Sequence, residues 1–277
     1  MKIYLSLLLL LCTFWAQAQV IPVGFIKSRG FTNIPTGDNP VTNNLALYLD
    51  ATRTASYSGT GSTWNDISGQ SPAGSATLVG SPTFGSGSIA NGSGSFTFAA
   101  NKNAYTTKTY TIQQAITFIA WINPSQTVGG SGNSQCSGII VRRWDPTNQG
   151  GATGLFLWEG NALGYDWTNN YYGVRFGLTV PNNEWSMVAI SVNSTQVSAY
   201  LCKASGITTN TVLKSHQNLT DPIDPKPDSH FTIGYDAYSP ANRALVGKIA
   251  TAMVFYTPLS KDEITSIFNA QKAAFGL

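Results

Sequence analysis

One stretch in the second half of the chain is rich in aromatic and amide side chains. It runs from Trp158 to Tyr172 and reads WEGNALGYDWTNNYY, with Arg175 three residues further on. Aromatic faces stack on the C–H surfaces of sugar rings and planar polar groups bond sugar hydroxyls, so this composition suits a carbohydrate site. The candidate ligand-binding residues are Tyr165, Asp166, Trp167, Asn169, Asn170, Tyr171, Tyr172 and Arg175. Aromatic side chains also pack in β-sandwiches, and Trp158 is the member of this stretch best suited to a core.

The elements that must position this stretch are short and β-prone. About a dozen segments of apolar or alternating residues are separated by turns rich in Gly, Ser, Asn and Pro, and residues 115–122 (AITFIAWI) are nearly all apolar, as in a strand covered on both faces. This pattern predicts an all-β fold, a two-sheet antiparallel jelly-roll sandwich with one short C-terminal helix. A turn at Tyr235 to Tyr238 is expected to contribute to the ligand site from the same end of the sandwich.

The closing stretch from Gly247 to Ile264 predicts one buried strand and one docked helix. Its first half is apolar and β-prone, and Pro258 ends the strand because proline donates no ladder hydrogen bond. Ser260 and Glu263 have the spacing of a capping box at a helix start. Apolar residues then repeat on one helical face, so the helix is expected to lie on an apolar surface.

Five motifs in order resemble laminin G-like domains of the concanavalin A-like lectin/glucanase superfamily, of the type found on phage tails and bacterial surfaces. Each is weak alone, but together they cover about Leu45 to Leu277. The motifs are Leu47–Ala51 followed by Tyr57–Gly69, Ile116–Pro124, Asn183–Ala189, Phe231–Gly234 and the closing stretch. The resemblance implies an exported recognition module that binds carbohydrate, with a glycan or another cell-surface molecule as partner. The alternatives are an adhesive surface protein that binds a protein partner and a glycoside hydrolase of the same superfamily.

The carboxylates do not show the pattern of the superfamily's hydrolases. A glycosidase needs two carboxylates about 5–10 Å apart. Relatives of the laminarinase type carry them as Glu-x-Asp-x-x-Glu, and none of the three glutamates has that spacing. Glu159 and Asp166 are the one pair that a loop could bring together. No Gly-x-Ser-x-Gly elbow is present, and two histidines, His216 and His230, are too few for a catalytic zinc. We therefore expect a protein that is not an enzyme.

Calcium is the cofactor that the resemblance implies, because laminin G-like domains often hold Ca²⁺ at the rim of the sandwich with carboxylate and carbonyl oxygens. Asp50 and Asp66 stand in the matching opening motif. Thr251 occupies the position in the closing strand where the family usually carries an acidic residue, which counts against the metal. The alternative is that Asp66 forms an Asx-turn and Asp50 ends a strand.

The N-terminus and the composition indicate an exported protein. Lys2, an apolar run from Ile3 to Trp15, and Ala16-Gln17-Ala18 predict a secretory signal peptide over residues 1–18. Residues 19–43 follow as an extension with a candidate edge strand, and residues 44–277 form the predicted domain. The expected location is secreted, periplasmic or cell-surface, with no membrane span. A formal charge of +3 is too weak for nucleic-acid binding.

Two cysteines, Cys136 and Cys202, remain after the predicted cleavage. In an oxidising compartment such a pair can form a disulfide. Two unpaired thiols are the alternative, because spacing in the sequence does not establish proximity in the fold.

Overall fold

The computed structural model describes residues 39–111, 115–130, 135–143, 152–166, 174–213 and 229–277. They belong to one compact unit that starts at Pro35. The predicted signal peptide and most of the predicted N-terminal extension lie outside the described residues.

The first sheet has eight strands within the described residues, all paired antiparallel. They are β1 (Leu45–Asp50), β4 (Thr83–Gly85), β5 (Ser95–Phe98), β7 (Ile116–Pro124), β12 (Ser186–Val192), β13 (Gln196–Lys203), β14 (Gly206–Leu213) and β16 (Gly247–Phe255). Their order is β14-β13-β12-β7-β16-β5-β4, and β1 also pairs with β16.

The second sheet also has eight strands within the part of the chain that the structure describes, and its pairs are antiparallel too. They are β2 (Thr63–Trp64), β3 (Ala76–Val79), β6 (Asn103–Tyr110), β8 (Cys136–Arg143), β9 (Ala152–Trp158), β10 (Ala162–Asp166), β11 (Val174–Thr179) and β15 (Ser229–Ile233). Their order is β11-β10-β9-β8-β15-β6-β3-β2. These two sheets, with the one α-helix found in the described residues, confirm the predicted fold class.

The main core lies between the sheets and follows from the alternation of side chains along each strand. In β7, Ile116, Phe118, Ala120 and Ile122 point into this core and are fully buried. The intervening residues of β7 are also buried, because the outer face of the first sheet is covered as well. This double burial explains the nearly continuous apolar sequence of the strand.

The closing strand β16 lies inside the first sheet, as predicted. One of its edges pairs with β7 from Gly247 to Phe255. Its other edge pairs with β5 at residues 247–249 and with β1 at residues 251–255. Eight of its nine residues are buried, so this strand joins three segments that lie far apart in the sequence.

The C-terminal helix α1 (Lys261–Gln271) covers the outer face of the first sheet. Its predicted capping box is present, because the Ser260 hydroxyl accepts a hydrogen bond from the Glu263 amide and the Glu263 carboxylate accepts one from the Ser260 amide. A 3-10 turn (Lys272–Phe275) follows and places the Phe275 ring parallel to the Trp121 indole, with 3.9 Å between the ring centroids. The helix thereby encloses a second apolar cluster.

No helix covers the outer face of the second sheet within the described residues. A small apolar cluster of Cys136, Val141, Ala152, Phe156 and Trp158 lies there. The loop between β15 and β16, residues 234–246, crosses part of this face at Gly138, where a Cβ atom would lie 2.5 Å from the carbonyl group of Tyr235. Among the described residues, this face is the broad sheet surface without a helix over it.

Candidate functional site

A pocket of about 260 Å³ opens on the outer face of the second sheet, where β6, β8 and β15 run side by side. We call it the outer-face pocket. The described residues that line it are Tyr105, Arg143, Ser229, His230, Thr232, Tyr235 and Ala237. They come from three strands and one loop, and the ladder pairs Tyr105 with Thr232 and Thr232 with Val141.

Aromatic side chains form one wall of the outer-face pocket. The Tyr105 ring meets the His230 ring edge-on, with 5.9 Å between the centroids. Burial raises the pKa of Tyr235 to about 12, and the neighbouring Tyr105 and Asp236 add to that rise. The Tyr235 phenol is therefore neutral at physiological pH and acts as a hydrogen-bonding group with a flat apolar face.

A buried cluster of charges lies beside this wall. Asp236 is fully buried and accepts two hydrogen bonds from Arg143, from Nε to Oδ1 at 2.6 Å and from Nη2 to Oδ2 at 2.7 Å. Arg243 donates from Nη1 to Asp236 Oδ2 at 2.9 Å. Burial alone would raise the pKa of Asp236, but the hydrogen bonds and positive charge of the two arginines outweigh it and lower that pKa. Asp236 is therefore ionised at neutral pH.

The aromatic-rich stretch singled out in the sequence is only partly described. Residues 167–173, which include the candidates Trp167, Asn169, Asn170, Tyr171 and Tyr172, lie outside the described residues. Asp166 ends β10 and is nearly buried, whereas Arg175 is exposed with its guanidinium 4.7 Å from the centroid of the Trp158 ring. Those two candidates stay predictions.

Two expectations for that stretch are corrected. Tyr165 is not a surface contact for a ligand, because it points between the sheets and is fully buried in the main core. Trp158 is not a member of that core. It ends β9 on the outer face, where its half-buried indole lies across Gly164 and packs against Phe156. The sequence pattern shows that these positions belong to strands but not which face of each strand meets the core. For that reason Tyr165 was predicted at the surface and Trp158 in the core.

The candidate pair Glu159 and Asp166 is not brought together. Glu159 follows β9, in a 3-10 turn that leads into β10 at Ala162, and Asp166 stands at the opposite end of β10. Asp166 lies four residues beyond Ala162 along the strand, a distance of about 13 Å at roughly 3.3 Å per residue. That separation exceeds the range that paired glycosidase carboxylates need.

The two candidate calcium ligands are engaged by protein donors. The Asp50 carboxylate accepts hydrogen bonds from the Tyr48 hydroxyl and from the amide and hydroxyl of Thr52. The Asp66 carboxylate accepts hydrogen bonds from the backbone amides of Tyr48 and Gly74 and from both the amide and the hydroxyl of Ser68. As arranged, these carboxylates do not fit a calcium ion, and calcium binding stays a prediction from the resemblance. No cluster of three or more His, Cys, Asp or Glu side chains suited to a metal occurs in the described ranges.

The register of the closing strand places Thr251 beside one of the two candidate calcium ligands. Asp50 of β1 and Thr251 of β16 are direct partners in the ladder. The Thr251 hydroxyl is buried without a hydrogen-bond partner, and burial raises the pKa of Asp50 against the hydrogen bonds from Thr52 and Tyr48. The position that the family fills with an acid is therefore adjacent to Asp50, but here it supplies no second charge.

Cys136 and Cys202 do not form a disulfide, so that candidate pairing is corrected. Cys136 belongs to β8 on the outer face of the second sheet, and Cys202 belongs to β13 on the outer face of the first sheet. Both are buried free thiols, separated by the thickness of the sandwich. Burial raises the pKa of each thiol to about 12, which makes both poor nucleophiles.

With the fold and pocket established, the chain can be compared with known proteins. The laminin G-like family model of the concanavalin A-like lectin/glucanases superfamily matches residues 91–265, which is more than half of the chain. The chain therefore belongs to this superfamily. No curated protein matches it.

Solved structures with the same fold include domain 4 of AbnA, a GH43 extracellular arabinanase from Geobacillus stearothermophilus, in complex with arabinotriose. That domain is 16% identical with a TM-score of 0.56, and the match covers 81% of this chain and 98% of the domain. Trypanosoma rangeli sialidase in complex with sialic acid is 15% identical (TM-score 0.52), covering 83% of this chain and 33% of the sialidase. An arabinofuranosidase complexed with arabinofuranosyl-α-1,2-xylobiose is 11% identical (TM-score 0.56), covering 77% and 51%.

These neighbours correct the expectation that the protein is not an enzyme. That expectation was based on the missing laminarinase motif, yet a sialidase and an arabinofuranosidase contain this fold in their solved structures. The motif of one family of hydrolases therefore does not exclude catalysis in a chain with this fold. This chain spans about a third of the sialidase and half of the arabinofuranosidase, and at such low identity the likeness establishes the fold alone.

Several residues of the outer-face pocket were not singled out in the sequence. Tyr105 and Arg143 carried no signal, because each belongs to an ordinary alternating strand. His230 was assigned as a plain polar residue at the start of a strand. The turn from Tyr235 to Tyr238 was the one part that the sequence had indicated as a ligand contact, and it does reach the pocket.

In the described ranges, no helix is long and apolar enough to cross a membrane.

Proposed function

We propose that this protein binds a carbohydrate in the outer-face pocket. The observation that carries the proposal is one concave site that combines three ring side chains, Tyr105, His230 and Tyr235, with the buried guanidinium of Arg143 in its lining. It lies on a face that no helix of the described residues covers. Rings offer apolar faces to a sugar, and the polar groups fix its orientation. The cavity lies just below the usual range of about 300–1,000 Å³ for small-molecule sites, which suits a single sugar residue.

Membership of the superfamily supports this proposal, as do the ligands of proteins with the same fold. Arabinotriose is bound in the complex of the arabinanase domain, and sialic acid in that of the sialidase. These two sugars are therefore the first probes for this chain, followed by a wider glycan array.

Isothermal titration calorimetry of the variants Tyr105→Ala and Tyr235→Ala tests the site. We expect each to weaken binding of the best glycan by at least about tenfold, which corresponds to about 1.4 kcal/mol. Tyr256→Ala is the matched control, because Tyr256 is also half-buried with a pKa raised to about 12 but lies outside the outer-face pocket. Unchanged affinity in both pocket variants, with folding intact, refutes the proposed site. A blank array together with saturable binding of a protein partner would favour the adhesive alternative.

Glycoside hydrolysis is the second candidate function, because a sialidase and an arabinofuranosidase contain this fold. Asp166 follows the inward-pointing Tyr165 in β10, so its side chain lies on the outer face of the second sheet. Asp236 is buried, is bonded to two arginines and does not line the outer-face pocket, so Asp166 is the carboxylate to test. The release of reducing ends from the bound glycan, lost in Asp166→Asn while binding persists, would establish this activity. No release from any glycan that binds would exclude it.

A further inference from the structure

Asp236 lies in the loop between β15 and β16 and attaches this loop to β8 beside the outer-face pocket. Its carboxylate is fully buried, and it bonds Arg143 of β8 through both oxygens and Arg243 at the far end of the loop through one. Bidentate pairs of guanidinium and carboxylate fix the relative orientation of both groups. A single side chain thereby links a strand of the second sheet to both ends of the loop segment 236–243.

Asp236 also makes hydrogen bonds within the segment, through its backbone and its side chain. The Asp236 amide donates to the Arg243 carbonyl at 3.2 Å, and the Ser239 amide donates to the Asp236 carbonyl at 3.2 Å. The Tyr238 amide donates to Asp236 Oδ1 at 3.2 Å. The Tyr238 ring lies near both guanidinium groups, with centroid distances of 5.4 Å to Arg143 and 4.8 Å to Arg243. The segment is therefore built around the Asp236 carboxylate.

Gly138 of β8 lets this loop lie directly on the sheet. A Cβ at this position would approach the Tyr235 carbonyl to 2.5 Å and the Asp236 amide nitrogen to 2.8 Å. Both of these are backbone atoms, so an alanine here displaces the loop. The Gly138 amide also donates to the Arg243 carbonyl at 3.0 Å. A larger residue at position 138 should therefore increase the distance between the loop and β8, and an alanine does so without changing any charge.

Three residues that line the outer-face pocket depend on this arrangement. Tyr235 and Ala237 flank Asp236 in the chain, and Arg143 is its bidentate partner. If the carboxylate no longer held them, the aromatic wall and the guanidinium would both lose their positions.

We propose that Asp236 is a positioning residue for the ligand, which holds Tyr235 and Arg143 in the geometry that a bound sugar requires. This inference rests on the proposed carbohydrate function of the outer-face pocket. The lowered pKa of Asp236 supports it, because a carboxylate that stays ionised retains both arginines at any pH near neutrality. Asp236 is buried and does not line the pocket, so it acts through its neighbours.

The variant Asp236→Asn tests the proposal, because it keeps the shape of the side chain and removes its charge. We expect glycan affinity to fall at least tenfold. We also expect the Tyr235 pKa, measured by NMR of ¹³C-labelled tyrosine, to fall from about 12 towards its ordinary value of 10, both because the Asp236 charge is lost and because the loop lifts. The second variant below keeps that charge and so isolates the effect of the loop. Tyr256, whose pKa is also about 12, is the internal control and should not change. A general loss of structure would shift both tyrosines.

Gly138→Ala is the second variant, and it displaces the loop while leaving every charge in place. We expect the same loss of affinity and the same shift at Tyr235. Gly85→Ala is its control. Gly85 belongs to β4 of the first sheet and does not line the pocket, and the new Cβ there would meet only the Ser88 side chain, at 3.2 Å. Full affinity in both Asp236→Asn and Gly138→Ala overturns the proposal.

The two proposals can fail separately. If the wild-type protein binds no glycan, the proposed function fails, and the NMR signal of Tyr235 still reports whether Asp236 positions the loop. If the wild type binds a glycan and the Tyr235 pKa stays near 12 in both variants, the proposed function stands and the positioning role is refuted.

Discussion

The contact between the C-terminal turn and the first sheet provides a quantitative test of how the sandwich is sealed. Phe275 is 6% exposed and stacks on Trp121 with an interplanar angle of 7°, and it also touches Trp185 at 5.1 Å between centroids. The variant Phe275→Ala removes this ring. Truncations of Phe to Ala in cores cost about 3–5 kcal/mol, and the position next to the chain terminus favours the lower end, about 3 kcal/mol.

A loss of about 3 kcal/mol should lower the Tm of a domain of this size by about 6–12 °C, at roughly 2–4 °C per kcal/mol. Differential scanning calorimetry measures the shift, and urea unfolding should show a lower midpoint with an unchanged slope. Lys261→Ala, an exposed change in the preceding helix α1, should stay within about 0.5 kcal/mol of the wild type. A fall in Tm of less than about 2 °C for Phe275→Ala would refute the reasoning, because it would mean that the helix contributes little to the cover of the sheet.

Two further predictions concern buried titratable groups. Burial raises the pKa of Asp50 above 3.8, so the folded state holds this proton more tightly and the free energy of unfolding should fall as pH rises through the raised value. Asp50→Asn should remove that part of the pH dependence in urea titrations between pH 4 and 7, and identical pH profiles for variant and wild type would contradict the assignment. Cys136 and Cys202 should not react with Ellman's reagent in the native protein but should both react in urea. A pair that stays unreactive in urea until a reductant is added would mean that they are disulfide-bonded.

The architecture could be predicted from the sequence because its signals are local. The apolar run of β16 and the capping box at Ser260 each depend on residues within a few positions of one another, and both are present in the structure. The order of the motifs along the chain then indicated the sandwich. Tyr165 and Trp158 were placed on the wrong faces, because an alternating pattern gives the period of a strand but not which of its faces meets the core.

The outer-face pocket could not be predicted in the same way. Arg143 and Asp236 are 93 positions apart, and Tyr105 meets His230 only because β6 pairs with β15. The spacing of residues along the chain does not show which distant side chains come into contact in the fold. The wrong inference about enzymatic activity has a similar origin, because a motif of one hydrolase family was taken to represent every hydrolase with the fold.

The position of β16 has a consequence for how the molecule is made. The facing edges of β1, β5 and β7 have no partner until residues 247–255 are present. At a synthesis rate of about 5–20 residues per second, these edges stay open for many seconds while the intervening chain emerges. Contacts between such distant segments also make folding slow. The first sheet therefore completes only after the closing strand has been translated.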